Sequence, residues 1–541
     1  MKFGDTPVDE AAGAILAHSV RTGGVSFKKG RVLTDADVEG LREAGISTVI
    51  AARLEAEDVG EDAAAARIAK AVTGDNLEIS AAFTGRVNLY AETAGLVDYD
   101  PLQLDQINMV DESATVALLP PFAPVVPRQM VGTVKIIPFA APEAVVASCE
   151  MLAKGGMAQE GLVQVAPYRA RTVGLIQTTL PGTKDSVLDK TTQVLRARVE
   201  ALSGQLTTER RCGHATDAIQ AEIESLLEDG SEMVLIAGAS AITDRRDVIP
   251  AAIVASGGTV DHFGMPVDPG NLMLLGYTGA VPVLGLPGCA RSPKLNGVDW
   301  ILQRLFADIA ITGQDVMAMG AGGLLKEIPA RPLPRAEATT TAIPSAPKIA
   351  AIILAAGQSR RMGRENKLLA DIDGEPMVAR VAGTVTASQA APVVAVIGHE
   401  ADDVRAALAG TNVSFAENPK FADGLSTSLI AGLGALPNDV DGVIICLGDM
   451  PRVDARVIDK LIAAFDPLED RAICVPTFNG KQGNPILLAR RFFGEMQEIT
   501  GDRGARHLID GYHELTCEVE MTEDGVLVDV DTPQMLAALK A

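Results

Sequence analysis

Aromatic side chains are scarce in this chain, at 4% of 541 residues with a single Trp. Its cores must therefore be filled by Ala, Val, Ile and Leu. Cysteine is also sparse. The six (149, 212, 289, 446, 474 and 517) are far apart and form no C-x-x-C pair. That excludes a zinc knuckle or disulfide framework and points to a reducing, cytoplasmic setting. No apolar run reaches the ~18 residues that a membrane span requires. The N-terminus, MKFGDTPVDEAAGAILAHSV, lacks a basic segment leading into an apolar stretch, so no signal peptide is expected. Positive charge is in deficit: 47 Lys and Arg against 70 Asp and Glu give −23. From Lys348 onward there are 18 basic and 28 acidic residues, which leaves −10 there and −13 before it. The acidity is spread along the chain and is not a tail. Such a surface repels phosphate backbones and anionic headgroups, so neither nucleic acid nor membrane is an expected partner.

What is present is globular material. Hydrophobic residues make up 47% and charged residues 22%, which excludes wholesale disorder. At ~150 residues per domain the length suggests roughly three or four domains. Residues 328–347 (IPARPLPRAEATTTAIPSAP) hold five prolines and no apolar periodicity, the composition of an extended spacer. A softer boundary falls near 165. The sequence thus divides into a lead-in at 1–165, a module at 166–327, the linker, and a module at 348–541.

Both later modules alternate strands with helices, which predicts α/β folds built on parallel units. In the first, TVGLIQTTL, EMVLIAG and VPVLGLPG read as strands. Lys184–Leu202, Asp217–Leu227, Arg246–Ala255 and Lys294–Phe306 read as helices. In the second, KIAAIILAAG, PVVAVIG, VDGVIICLGDMP, RAICVP, LTCEVE and GVLVDVD read as strands. The lead-in predicts a strand at STVIAARL and an Ala-rich helix over Glu57–Val72. Ligands of open α/β sheets sit beyond the carboxyl ends of the strands.

Three motifs fall at such ends. LAAGQSRRMGRENKLL (354–369) leaves an apolar strand at a Gly-containing loop and then places Arg360, Arg361, Arg364 and Lys367 within eight residues. Gly357 allows backbone to approach a ligand, and the basic cluster suits a triphosphate whose leaving pyrophosphate gains charge. It is not a P-loop, since G-x-x-x-x-G-K-[ST] is absent. ICLGDMP ends a strand at Asp449, a position suited to Mg²⁺ or simply to a turn. VLVDVDTP alternates Asp529 and Asp531, which would share one face of a continuing strand. Asp531 or Thr532 is equally suited to cap a helix starting at Pro533.

Taken together, LAAG-x-S-x-R-M-G, KLL, ENPKFADGLSTSLIAG, LGDMP, QGNPILL, GDRGAR and DVDTP resemble the MocA/MobA-type molybdenum-cofactor nucleotidyltransferases, a branch of the GlmU-like enzymes. The resemblance covers 348–541 and implies a Rossmann-like, GT-A-like domain with a mostly parallel sheet. It implies that Leu354, Ala355, Ala356, Gly357, Arg361 and Lys367 hold the nucleotide triphosphate, with Arg361, Lys367 and Asp449 catalytic. Gly424, Leu425 and Ser426 would lie near base and ribose. Asp449 with Asp529 or Asp531 would hold Mg²⁺, and Gly483, Asn484 and the GDRGAR run would line the acceptor side. LAAG in place of LAGG resembles the CTP-using branch.

Residues 171–325 resemble the molybdopterin-binding domain of the MoeA and MogA families through IAGASAITDRRD, GMPVDPGNLMLLG and VPVLGLPGCARSPKLNGVDWIL. The implied ligand residues are Gly238, Ser240, Asp244, Asp247, Gly270, Gly288 and Ser292. The family's Gly-Gly becomes Gly238-Ala239, its Lys-Pro becomes Asn271-Leu272, and its Asn-Pro becomes Cys289-Ala290. Residues 1–150 resemble the MoeA lead-in more faintly, through FKKGRVLTDADVEGLREAGISTVIAARL, where Lys28 and Lys29 face either phosphate or solvent. The combined expectation is transfer of CMP from CTP to molybdopterin, with apo-molybdoenzymes or their chaperones as partners and a homodimer compatible with it. The rivals are GTP as donor, a sugar or polyol phosphate as acceptor, and a cofactor carrier with a vestigial transferase.

Overall fold

The computed structural model describes residues 1–22, 25–154, 161–325, 346–358, 366–467, 471–498 and 506–539. In the lead-in, Lys2–Pro7 and Ile15–Leu16 flank Thr48–Arg53 as antiparallel partners. The expected strand is therefore present. The adjoining helix Asp35–Glu43 starts from a reciprocal cap between Thr34 and Asp37, and Arg31 grips the same Asp37 carboxylate at 2.9 and 3.0 Å. A separate core lies between residues 64 and 165. It is built under a four-stranded antiparallel sheet, Ala114–Leu118, Met130–Ile136, Arg86–Ala91 and Leu77–Ile79 in spatial order. The Ala-rich helix runs over Glu61–Val72 and begins later than expected, because Asp58–Gly60 pairs with Ala140–Pro142 as strand.

Residues 172–286 form a six-stranded sheet. Gln205–Gly213, Thr172–Thr179, Met233–Ala237 and Val281–Leu286 run parallel, and Leu274–Thr278 and Thr259–Phe263 complete the edge antiparallel. Helices cover both faces. Asp185–Ala201 and Gly297–Phe306 bury Leu195, Val199, Val298 and Ile301 on one side. Thr216–Glu228 and Val248–Ala255 bury Ile219, Ile223, Ile249 and Ile253 on the other. The Gly297–Phe306 helix starts after the expected Lys294, because Asn296 and Asp299 cap it reciprocally.

The C-terminal sheet has Ile349–Ala355 at its centre, all seven residues buried. Val393–Ile397 and Gly442–Leu447 flank it in parallel, and Ser414–Glu417 extends one side. On the other side Ile486–Ala489 is antiparallel, followed by Ile473–Phe478 and its parallel partner Thr516–Glu520. This is the mostly parallel α/β architecture expected. One element differs. GVLVDVD does not extend the sheet: Asp524–Leu527 is a 3-10 turn and the chain then runs outside it. Gly525 passes so close to Arg452 that a Cβ there would lie 2.4 Å from the Arg452 carbonyl oxygen. Val530 N–H donates to the Asp449 carbonyl at 2.9 Å. The turn packs under Arg452, which pairs with Asp524 at 2.8 Å, and Val530 is tied to the strand-end loop, so the segment runs outside the sheet.

The first and last parts of the chain touch. Lys28 Nζ donates to the Thr516 carbonyl at 3.2 Å and stands 3.9 Å from a Glu518 oxygen. Arg31 lies against Gly480, and Phe83 packs on the C-terminal core. Lys28 thus touches another module while its side chain stays half exposed to solvent.

Candidate active site

Three parallel strands deliver their carboxyl ends to one place: Ala356 and Gly357, then Gly398, then Gly448 and Asp449. The approach is tight. A Cβ on Gly398 would stand 2.8 Å from Phe421 Cβ and 3.0 Å from Ala356 Cβ. One on Gly448 would meet the Leu354 carbonyl at 2.9 Å. Gly357 is the opposite case, with nothing within 4 Å of its would-be Cβ. It faces open space.

Lys367 sits in a short 3-10 turn whose start is capped by Asn366 Oδ1 accepting from Leu368 N–H at 3.1 Å. Its ammonium donates to Asp449 Oδ2 at 2.5 Å and to Asp531 Oδ1 at 2.7 Å. Burial alone would push this ammonium's pKa down, but the Asp449 and Asp531 carboxylates outweigh it and hold the pKa above its ordinary value. Two carboxylates from distant segments therefore converge on one cationic point. Mg²⁺ takes one or two protein carboxylates and fills its other positions with water and phosphate oxygens. The pair Asp449 and Asp531 fits that donor set. Among the described residues no group of three or more His, Cys, Asp or Glu side chains is arranged for a metal. Asp529 is not among the residues that line the cleft.

The third wall comes from the turn before the helix Leu425–Gly434. Gly424 has φ +115°, a conformation that side chains rarely adopt. Asn418 is buried and fixes this wall. It donates to Thr427 Oγ1 at 2.9 Å and Ser428 Oγ at 3.0 Å, and accepts from Lys420 N–H at 3.0 Å. The walls enclose a cleft of about 440 Å³.

Of the residues singled out in the sequence, Leu354, Ala356, Gly357, Lys367, Gly424, Leu425, Asp449 and Asp531 line this cleft. Ala355 is fully buried in the strand behind it, and Ser426 is buried on the inner side of its helix. Thr532 caps the Pro533–Leu539 helix through Met535 N–H at 3.3 Å, which leaves Asp531 to Lys367. Arg361 and residues 501–505 of GDRGAR lie outside the described residues. Gly483 and Asn484 stand beside Val526: a Cβ on Gly483 would be 2.2 Å from the Val526 carbonyl oxygen, to which Asn484 N–H donates. Gln358, Phe421, Ala422 and Ser428 also line the cleft. The motif ENPKFADGLSTSLIAG contained the last three, but its spacing alone did not single them out.

In the middle module, Gly238, Ser240 and Gly288 lie just past strand ends, and Gly288 is open. Asp247 caps the Val248–Ala255 helix and accepts from Thr243 N–H. Asp244 is paired with Arg246, whose hydrogen bonds hold its carboxyl down to about 2. Gly270 serves packing: a Cβ there would be 2.7 Å from Gly297 N. The Ser292 carbonyl accepts from Arg198 at 2.7 Å.

Residues 351–516 match the MobA-like NTP transferase domain. The C-terminal module is thus a domain of the nucleotidyltransferase kind. Residues 5–53 match a domain of unknown function, DUF8806. Among curated proteins, the bifunctional protein GlmU of Stutzerimonas stutzeri is 33% identical over 156 residues, 28% of this chain and 33% of that protein. The GlmU of Leifsonia xyli subsp. xyli is 38% identical over 161 residues, 29% of this chain and 33% of that protein. The chain thus spans about a third of the length of these relatives. Among solved structures, Rv0371c from Mycobacterium tuberculosis H37Rv is 26% identical, covers 36% of this chain and 98% of its own, and has a TM-score of 0.32. No helix among the described residues is long and apolar enough to cross a membrane.

Proposed function

We propose that this protein transfers CMP from CTP to the terminal phosphate of molybdopterin, giving the cytosine dinucleotide cofactor and pyrophosphate. The observation that carries the reading is the meeting of Lys367, Asp449 and Asp531 beside the open Gly357 loop. It combines a cation for phosphate oxygens, two carboxylates for Mg²⁺, and unobstructed backbone. The acceptor phosphate oxygen attacks the α-phosphorus in line, and the bond to the bridging oxygen of pyrophosphate breaks. No general base is required, because the acceptor phosphate is already anionic at neutral pH. Positioning and electrostatics do the rest. Lys367, with Arg361, neutralises charge on the leaving pyrophosphate. Asp449 and Asp531 would hold Mg²⁺, which supplies charge neutralisation at the phosphate oxygens.

The CTP preference is supported by Ala356. The residue lines the cleft, and its Cβ lies 3.0 Å from where a Gly398 Cβ would stand. The middle module would present molybdopterin, and the connection through residues 328–347 would keep it close. Apo-molybdoenzymes or their chaperones would then take the product in the cytoplasm.

The test is pyrophosphate release from purified protein with Mg²⁺ and molybdopterin, comparing CTP with GTP. Release with CTP alone upholds the reading. Release with GTP alone keeps the transferase and overturns the donor. Silence with both overturns the acceptor.

A further inference from the structure

We infer that Cys474 and Cys517 form a reversible oxidation site, a dithiol that closes to a disulfide when a hydroperoxide reaches it. The two cysteines lie on neighbouring parallel strands, Ile473–Phe478 and Thr516–Glu520, and are direct register partners. Residues paired in this way project to the same face of a sheet, and neighbouring strands lie ~4.8 Å apart. That is inside the ~4.4–6.8 Å range of Cα separations that a disulfide bridges. Both are free thiols. Cys474 is fully buried and Cys517 is partly exposed, so an oxidant meets Cys517 first.

The surroundings suit that order of events. Lys28, from the lead-in, holds the carbonyl of Thr516, the residue just before Cys517, at 3.2 Å. Side-chain hydrogen bonding from Cys474, then the positive charges of Arg471 and Lys28, lower the Cys517 pKa against burial and Glu518, which raise it. Cys474 keeps its proton, since Cys517 and then burial raise its pKa. Burial pushes Cys212 up to about 11 and Cys446 up to about 12. The thiolate is the form that attacks an oxidant, which favours Cys517 over those two. Three segments far apart in the chain build this environment, so the wide spacing of the cysteines gave no sign of it.

The Cys517 thiolate attacks one oxygen of hydrogen peroxide. The O–O bond breaks, and hydroxide leaves and takes up a proton. Cys517 is then a sulfenic acid. Cys474 attacks the Cys517 sulfur as its own proton passes to the departing hydroxyl. The S–S bond forms, the S–O bond breaks, and water leaves. The two thiols lose two electrons and two protons, and the peroxide is reduced to two waters. A small thiol reductant reverses the closure. The disulfide ties together two strands at the seam where the lead-in docks.

The experiment exposes the reduced full chain to hydrogen peroxide, then digests it without reductant for mass spectrometry. The expected product is a cross-linked peptide joining Cys474 to Cys517 that dithiothreitol separates. Before oxidation, Cys517 should react with iodoacetamide at least ~10-fold faster than Cys212. Cys474→Ala should leave Cys517 as a sulfenic acid that dimedone captures. Oxidation of Cys517 without the cross-link overturns the site. So does a Cys517 that peroxide leaves untouched, or one that alkylates no faster than Cys212. The cross-link is read on the wild-type chain, so it does not depend on how the variant folds. It is also independent of the transferase reading: a cross-link in a protein without CTP-dependent turnover upholds the site.

Discussion

Lys367 and Asp531 are 164 positions apart in the chain, yet the ammonium and a carboxylate oxygen meet at 2.7 Å. The contact closes the cleft with the far end of the domain. The segment that carries Asp531 is tied to the loop after the Gly442–Leu447 strand by Val530 N–H on the Asp449 carbonyl. Backbone and side chains thus join the same two segments, and Asp449 takes part in both joints.

Asp449→Asn should lower pyrophosphate release at least ~100-fold, the scale for loss of a preorganised charge at a reacting phosphate. The side chain is nearly isosteric, so circular dichroism should be unchanged. Near-normal turnover would remove Asp449 from the metal assignment.

Lys367→Met should weaken turnover or CTP binding by ~1–3 kcal/mol, the range for a charged hydrogen bond lost from a half-buried site. It also carries a pH signature. The Lys367 pKa is raised on folding above its ordinary 10.5. Its stabilising contribution is therefore complete below that value and is lost as pH rises through the folded pKa. The gap in melting temperature between wild type and Lys367→Met should be constant at neutral pH and close above about pH 10.5. A gap that does not change with pH would contradict the ion-pair origin.

Gly398→Ala and Gly357→Ala should behave oppositely. The first forces a methyl group into Phe421 and Ala356, a case of overpacking that costs ~1–3 kcal/mol. Its melting temperature should fall. The second meets nothing within 4 Å, so stability should stay within ~0.5 kcal/mol while CTP binding drops. Thermal melts and nucleotide titration of the two variants check the contrast.

Glu61 gives a pH dependence remote from the cleft. Burial, with Asp62 adding to it and Lys29 and Lys135 opposing, pushes its carboxyl from 4.5 up to about 7. The protonated form is favoured by folding, so this group's contribution is full below pH 4.5 and is lost as pH rises through 7. Glu61→Gln should therefore gain melting temperature relative to wild type at pH 8 and lose that advantage at pH 4.5. Equal differences at both values would show that Glu61 ionises without cost.

The parts of the site that were legible in sequence are those at strand ends. An apolar run followed by Ala-Ala-Gly or Gly-Asp marks where a parallel strand leaves the core, and Ala356, Gly357 and Asp449 lie there. Helix residues were harder to place. Leu425 and Ser428 are three apart and share the cleft side, whereas Ser426 is rotated inward. Choosing consecutive residues 424–426 ignored that rotation. Asn418 was missed because its partners, Thr427 and Ser428, meet it only after the chain turns back. Asp529 and Asp531 alternate in sequence, but only Asp531 reaches Lys367, because the segment leaves the sheet. The strand Ile486–Ala489 was hidden by its four-residue length after Pro485. The lead-in was the least legible, since its strands are short and paired antiparallel across long separations.

The grip of Lys28 on the Thr516 carbonyl joins the lead-in to the C-terminal module independently of the sequence that connects them. It is a clasp that cleavage of a peptide bond elsewhere does not open. Proteolysis within 328–347 should therefore leave two fragments that still co-elute, and Lys28→Glu, which sets a carboxylate against Glu518, should let them part.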